Sequence, residues 1–169
     1  MTQKKEAERM VRYIKSTGIK IEDQDHTAKL SEYLNGDPIP ELLKDAEAKG
    51  LKVVYTYDMP QQGKEFRDAD AITINNVTRD NHGTWYAIGI SIQALAEGKE
   101  YTILVFLHEV AHLMTDCEEN HTIKFHQYLD YLLYEYNKVN GTRIENDYYG
   151  LLSQEATAGH QRREDALPL

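Results

Sequence analysis

The chain has 169 residues, 41% hydrophobic and 28% charged, the balance of a single soluble globular domain with a core of its own (1–169). Its 28 acidic residues outnumber 19 basic ones for a net charge of −9, which argues against direct nucleic-acid binding, because phosphate contacts need lysine and arginine. No window approaches the roughly 18 consecutive apolar residues of a membrane helix, and one cysteine, Cys117, excludes an internal disulfide framework.

The start, "MTQKKEAERMVRYIKS", is charged and never develops the apolar core of a secretory signal. With the lone cysteine this points to a cytoplasmic or otherwise intracellular protein, a description that also fits a phage or viral protein in its host cell. The basic pairs in "QKK" (3–5) and "QRRED" (161–165) are read as solvated ends, the second neutralised by Glu164 and Asp165.

In chain order, residues 3–16 predict a helix with Ala7, Met10, Val11 and Ile14 on one side. A short helix follows over 26–34, with Leu30, Tyr33 and Leu34 inward. "DPIPELLKDAEAKG" predicts a third, Pro40 lying in its first turn and Gly50 just past its end. These make a helical N-terminal part over 1–50.

The pattern then changes to β-branched and aromatic runs. "LKVVYTY" (51–57), "AITINNV" (71–77) and "TWYAIGISI" (84–92) predict three strands, split by a polar loop and by the turn "RDNHG". No crossover helix separates the second and third, so the small sheet is expected to be mixed or antiparallel. Residues 100–115 predict a helix apolar on nearly all sides, which belongs in the middle of its domain. A second long helix over about 122–139 sets Phe125, Leu129, Leu132, Leu133 and Tyr136 at helical spacing. The sheet and these helices fill 51–140; a C-terminal helix over 144–158 and a tail complete 141–169. The fold class is α+β, a small sheet packed on a central helix and on the long helix after it.

The central helix carries the chemistry. "LVFLHEVAHLMTDCEENH" (104–121) holds three of the seven histidines, and His108-Glu109-Val110-Ala111-His112 is HExxH. Positions i and i+4 stack on one helical face, so two imidazoles there can share one zinc ion. Glu109 is rotated about 100° around the axis, off the metal yet close enough to act as general base on a metal-activated water. The bland alternative is a pair of core histidines with Glu109 turned to solvent. Three polar groups within five positions of the most hydrophobic segment favour the metal, because buried polar groups demand partners.

A catalytic zinc needs a third protein ligand and an open fourth position. Downstream donors are Asp116, Glu118, Glu119, His121, His126 and Glu135. The metzincin spacing fails, since Thr115 and Glu118 stand where its glycine and ligand would be. Cys117 is read as a bystander. Among twelve tyrosines, Tyr148 and Tyr149 in "NDYYG" are the candidates for reaching the cleft.

"LHEVAHLMTDCEENHTIKFHQYL" resembles the core of the SprT-like and WLM-type zinc peptidases, the group that includes Spartan. Their pattern is HExxH, a variable connection, then a histidine followed four residues later by an aromatic on the next helix. The matching positions are His108, Glu109, His112, His121 and Phe125, within about 35 residues; Asn120 replaces a usual glycine, and His126 stands where Trp or another large residue is common. The resemblance implies a zincin-like minimal fold, Zn2+ on His108, His112 and His121, and hydrolysis of peptide bonds in proteins. His126 and Glu135 remain chemically competent alternatives as third ligand. Spartan-like enzymes act on proteins crosslinked to DNA with the help of DNA-binding parts; this acidic chain shows none, so the expected partner is a protein or peptide substrate. An extended substrate would add as a strand along "TWYAIGISI" or "AITINNV". Two other readings are a non-catalytic zincin-like binding module and a latent protease covered by its own termini.

Overall fold

A computed structural model of the chain describes residues 3–21, 24–61, 69–77, 83–115 and 122–146. Three helices come first. α1 (Gln3–Ser16) buries Met10 and Ile14, the apolar side its spacing predicts. α2 (Gln24–Leu34) begins two residues earlier than expected. α3 (Ile39–Lys49) carries Pro40 in its first turn, where a missing N–H costs no helical bond. Gly50 then turns the chain at φ 129°; a Cβ there would collide with the Thr84 carbonyl, so the glycine is what allows helix and sheet to meet so closely.

β1 (Leu51–Tyr57), β2 (Ala71–Val77) and β3 (Thr84–Ser91) form one sheet in the order β1-β3-β2. β3 runs parallel to β1 and antiparallel to β2, so the sheet is mixed. A 3₁₀ turn at Met59–Gln61 leads out of β1. β3 is the central strand, buried along nearly its whole length, which excludes "TWYAIGISI" as the edge where a substrate strand could pair. "AITINNV" does lie at an edge.

β3 also ends a residue sooner than its apolar run suggests. Ser91 Oγ accepts from the Ala94 N–H at 3.0 Å and caps a short helix, α4 (Ile92–Ala96), of which the sequence reading placed Ile92 in the strand and left the rest unassigned. α5 (Lys99–Met114) and α6 (Ile123–Asn140) follow within a residue of expectation. The helix predicted from residue 144 does not begin there. Gly141 closes α6 in the left-handed conformation, and Asn137 Oδ1 accepts from both the Ile144 N–H (3.0 Å) and the Thr142 hydroxyl (2.7 Å). Those bonds fold 142–146 back as irregular chain with Ile144 against the core; the rest of that predicted helix lies outside the described residues.

Apolar clusters occupy both faces of the sheet. Met10, Ile14 and Ile19 meet Tyr55, Tyr57, Ile72, Ile74 and Ala87 on one face. On the other, Leu51, Ala71, Tyr86, Ile88 and Ile90 join Phe106, Leu107 and Val110 of α5 and Phe125, Leu129 and Leu132 of α6. The result is α+β, with α1 on one side of the sheet, α5 on the other, and α6 beyond α5. α5 is buried almost all round from Ile103 to Leu113, as an all-apolar helix requires. No helix among the described residues is long and apolar enough to cross a membrane.

Tyr55 lies across its β3 partner Gly89, and a Cβ at Gly89 would stand 2.6 Å from the ring's Cε2 and 2.7 Å from its hydroxyl. Gly89→Ala is therefore expected to cost about 1–3 kcal/mol through overpacking, read as a lower denaturant midpoint. An unchanged midpoint would show that the tyrosine ring does not occupy that space.

Candidate metal centre

α5 brings His108 and His112 onto one face, as the four-residue spacing dictates. Both are buried, with 8% and 2% of their surface exposed. Their rings meet edge to face, and the two Nε2 atoms are 3.2 Å apart. Nitrogens bound tetrahedrally at about 2.0–2.1 Å from one zinc lie about 3.3–3.4 Å from each other, so the pair is spaced for a shared ion with almost no movement. One neutral imidazole could instead donate to the other at this distance. The third member of the group favours a cation.

Glu109 is 2% exposed, and its Oε2 lies 3.9 Å from His108 Nε2. Its Oε1 accepts from the Thr73 hydroxyl of β2 at 3.1 Å. A carboxylate so placed, away from water, is stabilised by positive charge on the imidazole side. His108, Glu109 and His112 each offer a ligand atom, all within 4.8 Å of one another. The donor set therefore fits zinc.

Phe125 forms a wall of the site. Its ring centroid is 4.9 Å from that of His108 and 4.5 Å from that of His112. α6 starts just ahead of it: Thr122 Oγ1 accepts from the Phe125 N–H at 3.2 Å, a side-chain cap that fixes where the aromatic enters. At the far end of the motif, Lys49 of α3 donates to the Met114 carbonyl at 3.0 Å and closes the last turn of α5. A cation there also suits the negative end of the helix dipole.

His126 is buried on α6 beside Phe125 but stands outside the three-residue donor group. The Asn146 side-chain nitrogen is 3.1 Å from His126 Nδ1 and 3.1 Å from Asp130 Oδ1. A carboxylate oxygen only accepts, so Asp130 orients the amide nitrogen, whose second N–H meets Nδ1 as an acceptor. Burial, chiefly, and the nearby His108 lower the pKa of His126, with Asp130 opposing them.

Glu135 is also outside the group. It pairs with Lys138 at 3.0 Å, ten residues or about 15 Å along α6 from Phe125. His121, Tyr148 and Tyr149 lie outside the described residues, as do Asp116, Cys117, Glu118 and Glu119.

Two polar residues near the centre were not singled out by sequence reasoning. Thr73 is one; its signal is a hydroxyl placed between Ile72 and Ile74 in a strand buried on both faces. Tyr55 is the other. Its hydroxyl is buried without a hydrogen-bond partner among the described residues, and burial, then the charge of Glu109, raise its pKa far above the usual phenol value. It stays a neutral phenol. No sequence signal distinguishes it from the other eleven tyrosines.

Compared with protein-family models, curated proteins and solved structures, the chain matches none.

Purified protein is expected to carry about one zinc per chain, and His108→Ala and His112→Ala to lose most of it. His121→Ala should lose it as well, whereas His126→Ala should keep it. Elemental analysis of the five proteins checks this, and zinc retained in His121→Ala but lost in His126→Ala would reverse the ligand assignment.

Proposed function

We propose that this chain is a zinc-dependent metallopeptidase of the minimal HExxH type, with a zincin-like fold, cleaving peptide bonds in proteins. One observation carries the reading: two buried imidazole nitrogens 3.2 Å apart, with a buried carboxylate oxygen 3.9 Å from one of them. His108 and His112 would hold the metal, with His121 third by resemblance to the SprT-like and WLM-type peptidases. Zinc bound there would supply Lewis acidity, polarising a scissile carbonyl and acidifying water near neutral pH.

The remaining work belongs to the chain. Glu109 takes the proton of the attacking water and delivers it to the leaving amine nitrogen. Phe125 holds both imidazoles from the side and keeps water away from that flank. The edge strand β2 passes beside Glu109, so an extended peptide adding to its outer edge would run past the base. This supports a polypeptide substrate over a small molecule.

A binding module that uses zinc only structurally has no need of a buried carboxylate beside its ligands. Placing Glu109 there costs desolvation energy that a catalytic base explains and a bystander does not.

The test is hydrolysis of an unfolded protein such as casein by the zinc-loaded chain and by Glu109→Gln. Loss of the general base is expected to lower the rate by about 10²–10⁴-fold while zinc content holds. Zinc bound without Glu109-dependent hydrolysis would leave the binding module as the better description.

A further inference from the structure

We infer that Thr73 is a positioning residue whose hydroxyl keeps Glu109 in the role of base and prevents it from becoming a metal ligand. This rests on the metallopeptidase reading above and goes beyond it, because nothing in the HExxH motif or the resemblance points to β2 for the purpose.

The geometry is specific. Thr73 is 2% exposed and faces α5 from the edge strand. Its Oγ1 lies 3.1 Å from Glu109 Oε1 and 3.3 Å from the Glu109 main-chain oxygen. A hydroxyl has one proton, and an ionised carboxylate is the stronger acceptor, so the bond goes to Oε1. With Oε1 held, the carboxylate presents Oε2 to the imidazole side, 3.9 Å from His108 Nε2.

The constraint matters because of what Glu109 would otherwise do. Its carboxylate already lies within 4.8 Å of both imidazole donors, and zinc takes carboxylate oxygen as well as imidazole nitrogen as a ligand. A small rotation of an unheld glutamate would put it on the metal, filling the position that catalysis needs open. Thr73 is suited to prevent this. Its backbone is locked by antiparallel pairing with Ile88 of β3, and a β-branched side chain has few rotamers. The anchor is therefore stiff, and it comes from outside the helix that carries the base.

The test uses the full chain, zinc-loaded, as wild type, Thr73→Val, Thr73→Ser, Glu109→Gln and the Thr73→Val/Glu109→Gln double variant. Zinc content and zinc dissociation rate are measured beside kcat and KM on an unfolded protein substrate. Thr73→Val is expected to hold zinc at least as tightly as wild type while its kcat falls about 10–100-fold and its KM stays within about twofold. Thr73→Ser, which restores the hydroxyl, should recover kcat to within about threefold of wild type. In the Glu109→Gln background Thr73→Val should cause no further loss.

Three results would overturn the inference: kcat within about twofold of wild type in Thr73→Val, zinc lost along with activity, or a serine variant no better than valine. Failure of the peptidase reading looks different. Wild type and Glu109→Gln would then be equally inactive while both hold zinc, and the positioning role would fall with the reading.

Discussion

The structure depends on one constraint, the burial of α5 on nearly every side from Ile103 to Leu113. A helix in that position must satisfy each polar group it carries from its neighbours, since water cannot reach them. α5 meets the demand at its ends with its own hydroxyls: Thr102 donates to the Gly98 carbonyl at 2.8 Å and Thr115 to the Ala111 carbonyl at 2.7 Å. His108, Glu109 and His112 lie in the middle of the helix, away from those ends. They meet one another, the Thr73 hydroxyl and the face of Phe125. Each of those partners arrives on a different element, so the sheet and α6 must both be in place before the polar cluster is stable.

How much of this was legible in the sequence follows from what each feature depends on. β1 and β2 were read to the residue because Leu51–Tyr57 and Ala71–Val77 are β-branched, aromatic runs flanked by polar turns. α5 and its burial were legible from composition alone, and the facing of His108 and His112 from helical geometry. Strand order was not, because the central place of β3 depends on pairing with both other strands. α4 was missed because Ser91 looks like one more alternating strand residue until its side chain is seen to cap Ala94. The Asp130–Asn146–His126 chain was equally hidden: it joins α6 to the returning segment over 16 to 20 residues and follows no motif spacing.

Glycine and tyrosine link the far side of the sheet to the same centre. Gly89 leaves room for the Tyr55 ring across β3, and Tyr55 is close enough to Glu109 for the carboxylate charge to raise its pKa. The Tyr57 hydroxyl donates to the Ala69 carbonyl just ahead of β2. The cluster with α1 is thus more than a second core. It fixes the strand that carries Thr73 from the face opposite α5.

That strand is held against α5 at two points, and their spacing gives its direction. Near its start the Tyr101 hydroxyl donates to Asp70, and farther on Thr73 reaches Glu109. The steps are eight residues on the helix, about 12 Å, and three on the strand, about 10 Å, so helix and strand run side by side in the same sense. A slip of β2 by one residue would turn Thr73 to the α1 side and bring Ile72 or Ile74 against the carboxylate. The apolar pattern of β2 resists that slip weakly, since isoleucine can be buried on either face. The Thr73–Glu109 bond resists it strongly, because a slip leaves a buried charge facing a methyl group. Register in the edge strand and the placement of the base are therefore set by the same interaction.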